Sequence, residues 1–281
     1  MKPLKPPLFE PLSLGTNLCL GYPLDQALDL VREAGFLYPE LSSIVNMCEH
    51  IDPKLITPEY ADEVKTLLAD RNMTCYAVSG HVDLTIDEQF NDFLKKIEFA
   101  GMIGATIINT NSGPLSRLDI FYKNMPKIIA LAEKRDVIIG LESHGDIIGT
   151  AKDSVGVFKR FNHPLVRFNY DTGNTYFYSE GKVVIEEDLK YGLEYLSYFH
   201  LKDIAIEGDK VEYRPIGDGD INFPGIFDVL RGLGRAIPCG LEIPVHVKGS
   251  LGAIRPAGTP LPKEAILDAV RRSTDYLAKS I

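Results

Sequence analysis

Residues 137–171 read VIIGLESHGDIIGTAKDSVGVFKRFNHPLVRFNYD, and the succession of patterns inside them decides the fold. Val137–Leu141 is a short, continuous, β-branched run, as expected of a strand covered on both faces. Thr150–Phe161 follows with helical character, and Val166–Tyr170 is a second apolar run. Strand, helix and strand within about 35 residues describe one βα unit leading into the next.

The alternation extends in both directions. Further strand candidates are Leu14–Cys19, Tyr38–Leu41, Thr74–Ser79, Thr106–Thr110, Leu196–Leu201 and Cys239–Ile243. Helical segments lie near Leu24–Ala34, Pro58–Arg71, Ile86–Met102, Leu118–Lys134, Glu186–Gly192, Pro224–Leu233 and Pro262–Ala278. Within Ile86–Met102, the residues Phe90, Phe93, Leu94, Ile97 and Met102 recur on one helical face. Thr57, Pro58 and Glu59 supply a cap, a proline suited to the first helical position and an early carboxylate. Gly35 and Gly101 are expected where helices stop. Eight such units at about 35 residues each predict one α/β domain, a (β/α)8 TIM barrel over 13–281. An open doubly wound sheet usually places a glycine-rich turn after its first strand, whereas residues 17–25 read NLCLGYPLD. Residues 1–12 are expected to form an extended arm, because Pro3, Pro6, Pro7 and Pro11 break up the apolar residues.

The composition of the 281 residues is that of a globular protein, with 45% hydrophobic, 25% charged and 9% aromatic. Thirty basic against 39 acidic side chains give a net charge of -9, which disfavours nucleic acid and anionic membranes as partners. No run approaches the roughly 20 apolar residues of a membrane span. Cys19, Cys48, Cys75 and Cys239 are scattered without a C-x-x-C pair, as expected in a reducing cytoplasm.

Barrel chemistry sits at the C-terminal ends of the strands. The last four predicted strands end in Glu142, Asp171, His200 and Glu242, at intervals close to one repeat. Their side chains are expected to meet at one mouth. Three carboxylates buried together would raise one another's pKa and pay for desolvation, unless a cation neutralises them. Three oxygen donors and an imidazole suit Mn²⁺ or Mg²⁺, with Co²⁺ or Zn²⁺ also compatible. Candidates for substrate contact at the strand ends are Glu40 on strand two, His81 after strand three, His144 beside Glu142, and Lys202, which alternation returns towards the mouth. Residues 244–262, PVHVKGSLGAIRPAGTPLP, are rich in Gly and Pro and suit a lid, a specificity element or a subunit contact. His163 belongs to the opposite end of the barrel and reads as structural.

At these residues the sequence resembles the xylose-isomerase-like TIM-barrel superfamily, in its sugar isomerase and epimerase branch. The matching segments are GLESHGD, NYDTGNTYFYSEG, YFHLKD, RPIGDGDINFPGIFDVLRGLG and CGLEIP. The resemblance implies a divalent cation, commonly Mn²⁺, on Glu142, Asp171, His200 and Glu242, with Glu142 and Glu242 as the acid/base pair. It also implies substrate contacts from His144 and from Arg214, just before the glycine-rich stretch. Asn174 stands where ketose 3-epimerases often carry a histidine. The implied activity is isomerisation or epimerisation of a small sugar, keto-sugar or polyol through a metal-bound enediolate. The same site also suits a lyase, either a dehydratase or a decarboxylase. Relatives are often dimers or tetramers, so a homo-oligomer is expected. Apurinic endonucleases share the barrel, but they look like multi-zinc sites rich in histidine with a basic DNA face. This chain has six histidines and an acidic balance. A barrel that binds sugar without catalysis would be expected to have a broken ligand, and all four positions are intact.

Overall fold

The computed structural model describes residues 7–281. In chain order the elements begin with β1 (Phe9–Gly15), α1 (Leu24–Glu33), β2 (Pro39–Ile44), β3 (Cys48–Glu49) and α2 (Pro58–Ala69). They continue with β4 (Ala77–Ser79), α3 (Asp87–Ile103), β5 (Ile107–Thr110), α4 (Leu118–Arg135), β6 (Ile138–Glu142) and α5 (Ala151–Phe161). Next come β7 (Val166–Asp171), α6 (Thr172–Tyr178), α7 (Ile185–Gly192), β8 (Leu196–Leu201), β9 (Asp203–Glu207) and β10 (Lys210–Arg214). The chain ends with α8 (Phe223–Arg231), β11 (Ile237–Leu241), β12 (Val247–Ser250), β13 (Ala253–Pro256) and α9 (Lys263–Ser280).

The parallel strands run in the order β1-β11-β8-β7-β6-β5-β4-β2, and β1 also pairs with β2. That last pairing closes the barrel, as the repeat predicts. The helices pack outside, and the main apolar core lies between them and the strands. Alternation along each strand sends the other side chains inward. Ala77, Ile107 and Tyr198 form a separate small apolar cluster. Two residues further along their strands, Ser79, Asn109 and His200 are fully buried polar groups. The apolar cluster thus gives way to a polar layer towards the mouth.

Several local expectations shift. The first strand is Phe9–Gly15, and Thr16–Cys19 form a 3-10 turn instead of its second half. Residues 9–12 of the expected arm are therefore strand, with Phe9 stacked near Phe199 and edge-on to Phe227. The prolines did not prevent this, because β1 takes a register shift between Phe9 and Leu12 where Pro11 has no N–H to donate. Residues 1–6 of that arm lie outside the described residues. Thr57 caps α2 as expected, accepting from Tyr60 N at 3.1 Å. Gly101 does not end its helix. α3 runs on to Ile103, and Gly104 takes the left-handed cap at φ 77°. Gly101 instead makes room for the Arg135 side chain of α4.

Two loops after strands build structure that periodicity did not reveal. β9 and β10 form one hairpin, β12 and β13 another, and β10 pairs with β12 in an antiparallel sheet of order β13-β12-β10-β9. α6 starts directly on Asp171, whose side chain accepts from Asn174 N at 2.8 Å as its cap. All four cysteines are free and buried. Among the described residues no helix is long and apolar enough to cross a membrane.

Candidate metal centre at the barrel mouth

Glu142 closes β6, Asp171 closes β7 and His200 lies one residue before the end of β8. Adjacent parallel strands place Asp171 in register with His200. Each of the three offers a ligand atom, and these atoms lie within 4.8 Å of one another. All three side chains are fully buried. His200 Nδ1 stands 2.9 Å from Glu142 Oε2 and 3.5 Å from Asp171 Oδ2.

Glu142 is the most heavily supported of the acids. Asn174 Nδ2 donates to Oε1 at 2.8 Å, Asn169 Nδ2 donates to Oε2 at 2.8 Å, and His81 Nε2 lies 2.9 Å from Oε2. Burial alone would raise its pKa, but His81 and His200 outweigh that and hold the carboxyl well below its usual range. Burial would likewise keep His200 neutral, yet the charges of Glu40, Glu242 and Glu142 push its pKa well up.

Glu242, just past β11, does not join the cluster of three. Lys202 stands between them, with Nζ 2.7 Å from Asp171 Oδ2 and 2.5 Å from Glu242 Oε2. Asn17 Nδ2 donates to the other oxygen of Glu242 at 3.2 Å. Burial of Lys202 opposes its charge, but Asp171, Glu242 and Glu142 hold it firmly protonated. Lys202 also donates to Asn174 Oδ1 at 3.1 Å.

A cavity of about 260 Å³ opens beside the cluster, lined by Glu142, Glu242, His81, His144, Asn174 and Lys202 on its polar side, with Asp171 and His200 behind Glu142 and outside its lining. Tyr213 of β10 and Val247, Ile254 and Pro256 of the β12–β13 hairpin contribute an apolar wall. His144 lies 3.1 Å from Tyr178 Oη, and burial holds its pKa down at about 4.

Two sequence-predicted substrate contacts stand elsewhere. Arg214 ends β10 with its guanidinium near Glu207 and Glu212, at 3.4 and 3.5 Å, and does not line the cavity. In β10 it alternates with Tyr213, so the tyrosine faces inward and the arginine outward. Glu40 does not line the cavity either, because it is buried beneath it against His200. Sequence reasoning missed Asn17, Asn169, Tyr178 and Tyr213. Asn169 had a readable signal, since it lies two residues before Asp171 and so on the same face of β7. Lys96 was also missed. It is fully buried in α3 and ties Ser43 O at 2.6 Å, behind the loop that follows β2.

Two carboxylates and an imidazole form a donor set that fits a divalent cation. Asp171 Oδ2 is buried without a hydrogen-bond partner and faces Lys202 Nζ at 2.7 Å and His200 Nδ1 at 3.5 Å, an anionic oxygen set where positive charge gathers.

The xylose isomerase-like TIM barrel profile matches residues 28–273. The chain belongs to that family. Among solved structures, a family member from Mycobacterium smegmatis in complex with magnesium is 19% identical. The match covers 89% of this chain and 88% of that one, with a TM-score of 0.66. The D-psicose 3-epimerase of Clostridium cellulolyticum H10, solved with D-tagatose, is 13% identical over 96% and 98% of the two chains, with a TM-score of 0.73. IOLI protein, solved with a zinc atom, is 16% identical over 96% and 99%, with a TM-score of 0.70. At these identities the likeness is one of fold. No curated protein matches by sequence.

Proposed function

We propose that this family member is a divalent-metal-dependent isomerase or epimerase of a small sugar, keto-sugar or polyol derivative. One observation carries the reading. Three ligand atoms converge within 4.8 Å, and one of the three residues, Glu142, lines a cavity together with a further carboxylate, Glu242. Glu142, Asp171 and His200 would hold the cation, Mn²⁺ or Mg²⁺ by donor type, with Glu242 joining once Lys202 turns aside. When bound, the cation would draw electron density from a substrate carbonyl and so acidify the neighbouring C–H.

The chain's own groups do the rest. Glu142 and Glu242 come from β6 and the end of β11, with β7 and β8 between them, so they address a flat substrate from two sides. One carboxylate takes the proton beside the carbonyl, and the same or the opposite one returns it. Return to the opposite face of the same carbon gives an epimer, and return to the neighbouring carbon gives an isomer. His81, Asn169 and Asn174 fix Glu142, while Asn17 fixes Glu242. Tyr213 and the β12–β13 hairpin shelter the reacting carbon from water. His81 and His144 are placed to meet substrate hydroxyls.

The test is incubation of the Mn²⁺-loaded protein with a panel of ketoses and keto-polyols in D₂O, followed by NMR. The expected product has unchanged formula and carries deuterium at the reacting carbon. Glu142→Gln and Glu242→Gln should each lower turnover about 10²–10⁴-fold. A product that has lost water or CO₂ would assign a lyase instead. Full activity in both variants would remove the acid/base roles.

A further inference from the structure

Glu40 lies inside the barrel, with 0% of its surface exposed, below the acids of the mouth. Ser79 Oγ donates to it at 2.8 Å, Asn109 Nδ2 at 3.0 Å and Tyr198 Oη at 2.9 Å. Both of its oxygens also face His200 Nε2, at 3.0 and 3.1 Å. The barrel wall is cut to admit this carboxylate. Gly240 of β11 is in register with His200. A Cβ there would overlap Glu40 Oε2 and stand only 3.0 Å from both His200 Cδ2 and Tyr198 Oη.

The second ring nitrogen of His200 points the other way, to Glu142 and Asp171. A neutral imidazole has one nitrogen that donates and one that accepts or ligates. Without a cation each ring nitrogen faces an ionised carboxylate, Nε2 that of Glu40 and Nδ1 that of Glu142. A cation among Glu142, Asp171 and His200 would take the Nδ1 side, and the proton left on the ring is then the one on Nε2, directed at Glu40. We propose that Glu40 is a positioning residue for the metal centre: it holds His200 with its proton on Nε2 and so makes Nδ1 the ligating atom. The inference rests on the metal centre proposed above and adds to it a residue that touches neither cation nor substrate. Ser79, Asn109 and Tyr198 then serve to hold the holder, and Gly240 provides the space.

The test is calorimetric titration of the folded protein with Mn²⁺, comparing Glu40→Gln in two backgrounds. Gln keeps the volume and one acceptor but loses the charge that strengthens the ligand. Loss of such a partner typically costs 10–100-fold in metal affinity, and that loss is expected here. In a His200→Gln background the same substitution should change affinity by less than about twofold, because its route of action is gone. A role in folding alone would cost the same in both backgrounds, and that result overturns the proposal. So does unchanged affinity in Glu40→Gln while the unsubstituted protein binds Mn²⁺. If the unsubstituted protein binds no divalent cation at all, the metal-centre reading fails first and takes this one with it. Should Glu40→Gln not fold, ¹⁵N NMR of His200 in the Zn²⁺-loaded unsubstituted protein decides. A proton on Nε2 with metal on Nδ1 supports the role, and the reverse tautomer overturns it.

Discussion

Replacing Lys202 by Met would expose how the mouth balances its charges. Lys202 is 6% exposed, and its ammonium lies 2.7 Å from Asp171 and 2.5 Å from Glu242. Met keeps much of the stem's packing but leaves two buried carboxylates facing each other with no cation between them. Removing one partner of a buried ion pair costs about 3–5 kcal/mol, mostly because the other charge is stranded. At about 2–4 °C per kcal/mol for a domain approaching this size, Lys202→Met should melt on the order of 10 °C lower in chelator. A divalent cation can take over the neutralising role. Saturation at 100 times the dissociation constant contributes about 2.7 kcal/mol, and the variant should gain more than the unsubstituted protein, whose lysine competes. The assay is thermal denaturation of both proteins in EDTA and in Mn²⁺. If Lys202→Met melts with the unsubstituted protein in chelator, or if Mn²⁺ raises both melting points equally, the charge argument is wrong.

Arg214→Ala should leave turnover within about twofold and stability within about 1 kcal/mol, since its partners are partly exposed carboxylates outside the cavity. A large rise in KM would return Arg214 to the substrate. Gly145→Ala should destabilise by about 1–3 kcal/mol in denaturant titration, because φ there is 75° and a Cβ would run into Tyr178. His246 is 1% exposed, both ring nitrogens lack partners, and burial lowers its pKa to about 4. A depressed histidine resists protonation in the folded state, so its contribution is intact above about pH 6.5 and is lost as pH falls towards 4. His246→Leu should therefore flatten the acid side of the stability profile by up to about 3 kcal/mol, measured by urea unfolding at pH 7 and pH 4.5. An unchanged slope would show that the ring does not titrate in this way.

The barrel was legible because its signal repeats. Runs such as Val166–Tyr170 and faces such as Phe90, Phe93 and Ile97 each state their element through burial alone, and the structure buries them as expected. The three-residue cluster was legible for the same reason, since Glu142, Asp171 and His200 each follow an apolar run at a strand end. What stayed hidden depends on contacts distant in sequence. Glu40 and Glu242 look alike as carboxylates on strands, but one ends under His200 and the other against Lys202. Only the inward layer to which each belongs separates them. The two hairpins were hidden because Gly208, Gly249 and Gly252 punctuate short, partly exposed strands whose alternation is weak. Gly-Pro density read as irregular loop where the chain forms a second sheet.

That second sheet ties together segments more than thirty residues apart. Lys210, Val211 and Glu212 of β10 are matched with Ser250, Gly249 and Lys248 of β12, so the turns following β8 and β11 share one ladder. Lengthening or transplanting either hairpin alone would break the ladder and expose unpaired amides on its neighbour. Reshaping this barrel mouth by segment exchange would therefore require both hairpins to be moved as a matched set.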